Sequence, residues 1–509
     1  MENRTDEAGP NRLIGRASIV AAGTTYQQGI SFLSGLIVAR VIGAADYGIF
    51  NLARSLVDLT GILTRLGLDI GLQRYFGEAS ATQDSDSRAI TLRRVRLLAS
   101  SCALLPIAAI ALGLGRTLEA NVYHYSGFAE ILLCLALSLP FLTDIVVLGG
   151  AYRGILKLAP SVIAENVLLP TIRLAIIAIF FAIGWRLWAV VVGTTLGSFL
   201  AAAFLALRAR ADFRSVAPAR SHSWADVTQV MGYSIVLAAA VLVATLTNNV
   251  DVLMLGHFTA AQDVGQYTLV KMLLTLMSVF GAAFVTGLGA LVADRHFRGD
   301  HDGMVRVMSL TTRWVTLATL PIFAIFLFWG APLTHLFGSS FAAPQAVVGW
   351  LAAGQFVFVV FGPSGWALSM TGKHVLELKI LSVSMVIAAF LCWFAVPAFG
   401  QLGAAVATCA SMTFSNLLRI LFVRRSIGAF PFGVDIFAII PAGIGIAWAS
   451  DLLVAQFPLS ALWCTVCGIG CFILAYGVAA WTHLLNETEK RGILRALEYA
   501  TRKLSPSWG

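Results

Sequence analysis

One apolar stretch of this sequence carries a row of charged residues at helical spacing. The row consists of Arg54, Asp58, Gly61, Arg65 and Asp69. Separations of three and four positions place side chains on one face of an α-helix. A charge near the centre of a bilayer costs roughly 2.5–3.5 kcal/mol. The row therefore predicts a water-filled cavity or buried partners for these charges, with a snorkelling Arg54 or a structural Arg54–Asp58 ion pair as the alternative.

Other polar residues inside apolar segments extend this candidate site. The candidate substrate ligands are Arg54, Lys271, Asp58, Arg65, Gln27, Gln28, Asn249 and Arg173. The candidate ion-coupling residues are Asp58, Asp251 and Glu165. For most of them taken singly, an ordinary interhelical hydrogen bond is the alternative. A pair of cations such as Arg54 and Lys271 suits a diphosphate or an acidic sugar.

The sequence repeats itself at an interval of 217 residues. The aligned pairs are Asp46 with Asp263, Gly48 with Gly265, Phe50 with Tyr267 and Arg54 with Lys271. In the second copy the charged row becomes Lys271, Thr275, Ser278, Ala282 and Thr286. We expect each Asp-x-Gly to form the turn before a helix, with Asp as the cap. Six predicted spans fit in the interval, which predicts a parallel repeat with the substrate path between its halves.

The elements that position these residues are membrane spans. The chain has 58% hydrophobic and only 12% charged residues and a mean hydropathy of +0.83, whereas soluble domains average about a quarter charged. Spans of about 20 residues are predicted at 17–39, 49–70, 96–115, 127–149, 160–183, 187–207, 228–255, 265–291, 308–330, 345–369, 376–396, 402–423, 434–453 and 459–482. The predicted class is an all-α polytopic membrane protein of about 14 transmembrane helices.

Basic residues in the loops set the predicted orientation. Of the 35 Lys and Arg residues, only Arg40, Arg116 and Arg186 fall in the loops assigned to the outer side. The excess on the other side indicates that both termini lie in the cytoplasm. The net charge of +9 is thus a topology signal, and no nucleic-acid partner is expected.

The repeat and the spans divide the chain into four predicted parts. Residues 1–225 form an N-terminal lobe of six helices, and residues 226–430 form a pseudo-symmetric second lobe of six. Residues 431–485 hold two C-terminal helices. The tail, 486–509, is predicted to be a basic amphipathic helix on the anionic inner leaflet, with membrane lipid as its partner; a solvated charged helix is the alternative.

Motifs of soluble catalysis are missing from the sequence. There is no Walker A sequence, HExxH or GxSxG, so neither ATP hydrolysis nor another enzyme activity is expected. The seven cysteines all lie in apolar segments, where they are expected to pack rather than to form a disulfide framework. No cofactor and no metal are expected. Transport would then depend on an ion gradient, the membrane potential or the gradient of the substrate.

Several stretches of this sequence resemble a known transporter family. They are Ser34-Gly-Leu-Ile-Val-Ala-Arg-Val-Ile-Gly43, Asp46-Tyr-Gly-Ile-Phe50 and Gly67-Leu-Asp-Ile-Gly-Leu-Gln-Arg-Tyr75, with weaker similarity from Asn249 to Tyr267 and at Arg153-Gly154-x-x-Lys157. These stretches resemble the polysaccharide-biosynthesis transporters, that is, the Wzx-type oligosaccharide flippases of a superfamily that includes multidrug exporters and lipid II flippases.

The resemblance implies a flippase for an undecaprenyl-diphosphate-linked oligosaccharide, moved from the cytoplasmic to the periplasmic leaflet of a bacterial inner membrane by alternating access. It implies that Arg54 and Lys271 bind the anionic part of the substrate, and that a polysaccharide polymerase and assembly proteins are partners. A lipid II flippase and a cation-coupled multidrug exporter are the alternatives within the superfamily. Outside it, the alternatives are a membrane enzyme, disfavoured by the short outer loops, and an assembly scaffold.

Overall fold

The computed structural model describes residues 10–79, 85–213, 225–458, 460–487 and 489–491. Helices make up its regular structure, and the described residues contain no strand. The first ten helices are α1 (Pro10–Ile42), α2 (Ala44–Arg65), α3 (Leu68–Ala79), α4 (Ser85–Ala109), α5 (Gly115–Leu118), α6 (Phe128–Ala136), α7 (Leu139–Gly154), α8 (Leu158–Val162), α9 (Leu169–Ala182) and α10 (Leu187–Asp212). The others are α11 (Ala225–Phe258), α12 (Ala261–Phe297), α13 (His301–His335), α14 (Gln345–Phe361), α15 (Pro363–Met370), α16 (His374–Phe399), α17 (Gln401–Ile427), α18 (Ile436–Ala455) and α19 (Ala461–Ala479).

Within the described ranges, 12 helical segments are long and apolar enough to cross a membrane. They correspond in order to the last twelve predicted spans, and the predicted class, an all-α polytopic membrane protein, is confirmed. The first two predicted spans correspond to α1 and α2. These two helices are not among the twelve because the glutamines of α1 and the charges of α2 lower their hydropathy. The total of fourteen spans stays a prediction.

The second predicted span is interrupted, which corrects the predicted row of charges. Helix α2 ends at Arg65, and the next two residues have left-handed backbones, Leu66 at φ 49° and Gly67 at φ 69°. Glycine takes this conformation without steric cost. A Cβ atom on Gly67 would also lie 2.6 Å from the carbonyl oxygen of Ser234. Asp69 therefore lies in α3, and the single helical face holds only the residues up to Arg65.

The Asp-x-Gly stretches lie inside helices rather than in the turns before them. Helix α2 has Gly43 at its N-cap position with φ 83°, and no side chain caps it. Asp46 follows in the first turn of α2, and Asp263 lies in the first turn of α12. The predicted capping role of Asp46 is wrong, because the positive φ of Gly43 already turns the chain between α1 and α2.

The described chain divides into two compact units. The first comprises residues 1–273, 337–342 and 381–411, and the second comprises residues 274–336, 343–380 and 412–509, within the described ranges. The core of the first unit includes the fully buried Tyr152 and Phe76. The core of the second includes Met308 and Val292. The predicted tail falls almost entirely outside the described residues.

Candidate substrate cavity

A cavity of about 180 Å³ lies within the first unit. Its walls are Ser31, Ser34, Gly35, Val38, Tyr47, Phe50, Asn51, Arg54, Arg173, Ile177, Val190, Thr194, Thr268 and Met272. Two predicted substrate ligands, Arg54 and Arg173, thus meet in one place although 119 positions separate them in the sequence. Among the described residues, these walls include two cations and no carboxylate. The cavity is therefore suited to an anion.

Arg54 extends into this cavity from the middle of α2. Its side chain is 43% exposed, and its Nε lies 3.6 Å from Oδ2 of Asp58, one helical turn away. This separation exceeds the length of a charge-assisted hydrogen bond, about 2.7–2.9 Å. The alternative of a structural Arg54–Asp58 pair is therefore present only as a loose contact. The guanidinium retains N–H groups for a ligand.

Arg173 reaches the same cavity from α9. Its Nε is buried and has no hydrogen-bond partner among the described residues. Helix α10 can pack closely beside it, because a Cβ atom on Gly197 would lie 3.0 Å from the Cα of Arg173. A buried donor without a partner costs about 1–3 kcal/mol, and more when it is charged. Arg173 thus brings a second guanidinium to the walls of the cavity.

Lys271, the counterpart of Arg54 in the repeat, is held in an internal ion pair. Its Nζ lies 2.9 and 2.8 Å from the two carboxylate oxygens of Asp251 and donates to the carbonyl oxygen of Asn248 at 2.8 Å. The hydroxyl of Tyr267 donates to Asp251 at 2.8 Å, and that of Thr408 at 3.2 Å. Asp251 is only 1% exposed. Lys271, a predicted substrate ligand, and Asp251, a predicted ion-coupling residue, thus form one ion pair with no net charge.

The repeat explains why the two cations differ. Subtracting 217 from Asp251 gives Ser34, and subtracting it from Asn248 gives Ser31. Both serines line the cavity beside Arg54. The first copy therefore has a small hydroxyl where the second copy has the carboxylate that neutralises its cation. This difference was readable in the sequence, by comparing the neighbours of each cation as well as the cations themselves.

A second charged cluster in the first unit joins Glu165 to two other residues. Nη1 of Arg153 lies 3.3 Å from Oε2 of Glu165, and Nη2 lies 4.0 Å from Oδ2 of Asp69. The other oxygen of Glu165 is buried without a hydrogen-bond partner in the described part of the chain. Arg65 is half-buried at the end of α2 and does not line the cavity.

The remaining predicted ligands lie away from the cavity walls. Gln27 and Gln28 are half-buried in α1. The amide of Asn249 donates to the carbonyl oxygen of Thr245 in its own helix at 2.9 Å. The structure thus brings Arg54 and Arg173 together, with Asp58 beside them. Gln27, Gln28 and Asn249 do not line the same cavity.

Sequence reasoning did not single out two arginines that lie inside predicted spans. Arg419 in α17 is 5% exposed and bonds to Glu377, with its Nη2 2.6 Å from Oε1. Arg313 in α13 contacts Asp435 and Glu489. Both arginines fall inside predicted spans, so the cost of an intramembrane charge would have singled them out without any structure. No group of three or more His, Cys, Asp and Glu side chains in the described residues could hold a metal ion.

Two solved structures are similar in fold to this chain over most of its length. The structure of the lipid II flippase MurJ in an inward closed conformation superimposes with a TM-score of 0.73 at 12% identity, over 90% of this chain and 97% of that one. An inward-facing multidrug resistance MATE family transporter of the MOP superfamily superimposes with a TM-score of 0.66 at 14% identity. The match covers 82% of this chain and 98% of that one. The chain therefore shares its fold with these two proteins.

Sequence comparison narrows the class. Residues 15–288 match the family described as polysaccharide biosynthesis protein, and residues 237–394 match the MatE family. The first match covers more than half of the chain, and the protein belongs to the polysaccharide biosynthesis protein family. A curated relative, the probable low-salt glycan biosynthesis flippase Agl15 of Haloferax volcanii, is 24% identical over 403 residues, which are 77% of this chain and 80% of the relative.

Proposed function

We propose that this protein flips a polyprenyl-diphosphate-linked oligosaccharide from the cytoplasmic to the periplasmic leaflet of a bacterial inner membrane. The observation that carries the proposal is the pair Arg54 and Arg173 on the walls of one cavity without a carboxylate. Family membership and the glycan flippase relative support the same substrate class. An undecaprenyl carrier is the finer form of the proposal.

The chemistry of the cavity fits a diphosphate. Guanidinium groups bind phosphate oxygens through two parallel N–H···O bonds, which fix orientation as well as supplying energy. Ser31 and Ser34 add hydroxyl donors beside Arg54. Such bonds are stronger where water is scarce, because the effective dielectric constant is lower than in bulk. The diphosphate would thus be removed from the headgroup layer without an uncompensated charge entering the hydrocarbon.

The proposed transport step is alternating access of the two predicted lobes around this anion site. Both termini lie in the cytoplasm in this proposal. Asp58, Asp251 and Glu165 remain predicted ion-coupling residues, and Asp251 would have to release Lys271 to bind another cation. A polysaccharide polymerase and assembly proteins remain predicted partners.

Two alternative substrates fit the cavity unequally. Lipid II also carries a diphosphate on a polyprenyl chain, so the same two arginines suit it, and it remains the second candidate. A cationic drug fits poorly, because Arg54 and Arg173 would repel it and the described walls hold no carboxylate to attract it.

Reconstituted transport tests the proposal. Purified protein in liposomes is given a fluorescent undecaprenyl-diphosphate-linked oligosaccharide, and the label reaching the opposite leaflet is measured. Removing one charged hydrogen-bond donor costs about 1.5–3 kcal/mol, so Arg54→Gln and Arg173→Gln should each reduce affinity roughly tenfold to hundredfold. Arg208→Gln, which removes a 60% exposed arginine of α10, is the control and should transport normally.

In cells, Arg54→Ala and Lys271→Ala are each expected to abolish surface polysaccharide while the protein stays in the membrane. Normal transport by the Arg54 and Arg173 variants in liposomes would refute the anion site. Transport of lipid II in preference to the oligosaccharide lipid would replace the first candidate with the second.

A further inference from the structure

The second unit contains a cavity that is larger than the one lined by Arg54 and Arg173. Its volume is about 710 Å³, within the range of roughly 300–1,000 Å³ typical of small-molecule sites. Helices α12, α14, α15, α16 and α17 contribute walls that include Ser278, Phe358, Trp366, Ser369, Glu377 and Arg419. Ser278 belongs to the second copy of the polar row found in the sequence.

The charged residues on these walls neutralise each other. Nε of Arg419 donates to Oε1 of Glu377 at 3.0 Å, and Nη2 donates to the same oxygen at 2.6 Å. Nη1 contacts Oδ1 of Asn416 at 3.4 Å. The described walls therefore carry one positive and one negative charge, in contrast to the two arginines of the first cavity. A ligand without net charge is favoured here.

The same pair has hydrogen-bonding capacity beyond its internal bonds. A guanidinium has five N–H donors and a carboxylate about four acceptor positions, more than the contacts within the pair use. Ser278, which accepts from Nε2 of Gln355 at 2.5 Å, and Ser369 add hydroxyl groups. A polyprenyl chain could not use this remaining hydrogen-bonding capacity. A ligand rich in hydroxyl groups can use it.

An aromatic side chain provides the apolar wall that a sugar ring requires. Trp366 lines the cavity and is 54% exposed. The face of an indole ring is electron-rich, and the C–H groups on one side of a sugar ring carry a partial positive charge. A sugar can therefore stack on Trp366 while its hydroxyl groups bond to Glu377 and Arg419.

We propose that this cavity binds the glycan of the lipid-linked substrate, as a neutral oligosaccharide. The inference rests on the proposed function and deepens it, because it gives the sugars a binding site that is separate from the proposed diphosphate site. The cationic cavity of Arg54 and Arg173 takes the diphosphate, and the neutral cavity of Glu377, Arg419 and Trp366 takes the sugars. Such a division makes the protein selective for a glycosylated carrier over the bare carrier lipid.

Binding of two lipids to the full-length protein in nanodiscs tests this division. The probes are undecaprenyl diphosphate and undecaprenyl diphosphate carrying a neutral tetrasaccharide, and Kd is measured for each. Loss of the stacking surface in Trp366→Ala should weaken binding of the glycosylated lipid about tenfold, which corresponds to about 1.4 kcal/mol, and leave that of the bare lipid unchanged. Trp366→Phe should retain most of the affinity.

Trp350→Ala is the matched control, because Trp350 is 47% exposed in α14 and does not line the cavity. Equal affinity of the wild-type protein for the two lipids would overturn the glycan site, as would an equal loss for both lipids in Trp366→Ala. Either result leaves the proposed function intact if Arg54→Gln weakens both lipids. Failure of the wild-type protein to bind either lipid would remove the proposed function and this inference together.

Discussion

Gly48 and Gly265, which are equivalent in the repeat, pack against each other's helix starts in a reciprocal contact. A Cβ atom on Gly48 would lie 2.0 Å from the carbonyl oxygen of Ala261 and 2.8 Å from the amide nitrogen of Gly265. A Cβ atom on Gly265 would lie 1.8 Å from the carbonyl oxygen of Ala44. Ala44 and Ala261 are themselves 217 positions apart. This exchange of equivalent contacts is what a two-fold relation between the copies requires.

The glycine contact predicts a large effect of a very small substitution. Gly48→Ala and Gly265→Ala each force two backbones apart, and overpacking of this kind costs about 1–3 kcal/mol. Both variants should therefore have a lower melting temperature, measured by thermal unfolding of the purified protein. Gly29→Ala in α1 is the control, since a Cβ atom there would meet nothing within 4 Å. Equal melting temperatures for the Gly48 and Gly29 variants would contradict the close approach.

The ion pair of Lys271 with Asp251 predicts that removing both charges destabilises the protein less than removing the charge of Lys271 alone. Asp251 is nearly fully buried, and removing one partner of a buried ion pair costs about 3–5 kcal/mol. Lys271→Met should therefore destabilise the protein, and adding Asp251→Asn should recover much of the loss. Thermal unfolding of Lys271→Met, Asp251→Asn and the double variant measures the coupling. A Lys271→Met protein as stable as the wild type would show that Lys271 is not a structural partner of Asp251.

The contacts of Arg313 predict that its removal exposes the end of the described chain to protease. Its guanidinium contacts Asp435, Glu489 and the carbonyl oxygen of Leu484, and its side chain is 12% exposed. Arg313→Ala would leave two carboxylates without their cation, so residues 484–491 should become more accessible to protease. Arg298→Ala removes a 72% exposed arginine paired with Asp294, and such surface pairs contribute little. Similar cleavage of the two variants would rule out the proposed role of Arg313.

Asp300, in the loop between α12 and α13, is expected to make the stability of the protein sensitive to acid. The side chain of Asp300 accepts hydrogen bonds from Arg295 at 2.5 Å and from the backbone N–H of Gly303 at 2.8 Å, and the Arg295 bond is the main reason that the pKa of Asp300 is lowered. Its folded pKa lies below its unfolded pKa. The stabilisation is therefore complete above the ordinary aspartate pKa, about 3.9, and is lost as the pH falls through the lowered value.

Melting temperature measured between pH 6 and pH 3 tests this assignment. The wild type should lose more stability over this interval than Asp300→Asn, which retains a capping oxygen but does not titrate. Identical pH dependence in the two proteins would show that Asp300 contributes nothing to acid sensitivity.

Much of the fold and part of the site followed from the sequence. Burial in lipid requires long apolar helices, and for this reason twelve of the predicted spans match described helices. The cost of an intramembrane charge drew attention to Arg54, Arg173 and Lys271, whose functional roles stay predictions. The same rule applied throughout would also have found Arg419.

The sequence by itself determined the class, the spans and the repeat, because hydropathy and spacing are properties of a chain and need no partner. Only the tertiary structure decided which cation is neutralised and which faces a cavity. Asp251 pairs with Lys271 from another helix, 20 positions away in the sequence. Arg173 lines the same cavity as Arg54 although 119 positions separate them. Such pairings depend on how helices pack side by side, and packing is set by surface shapes such as those of Gly48 and Gly265 rather than by any local pattern.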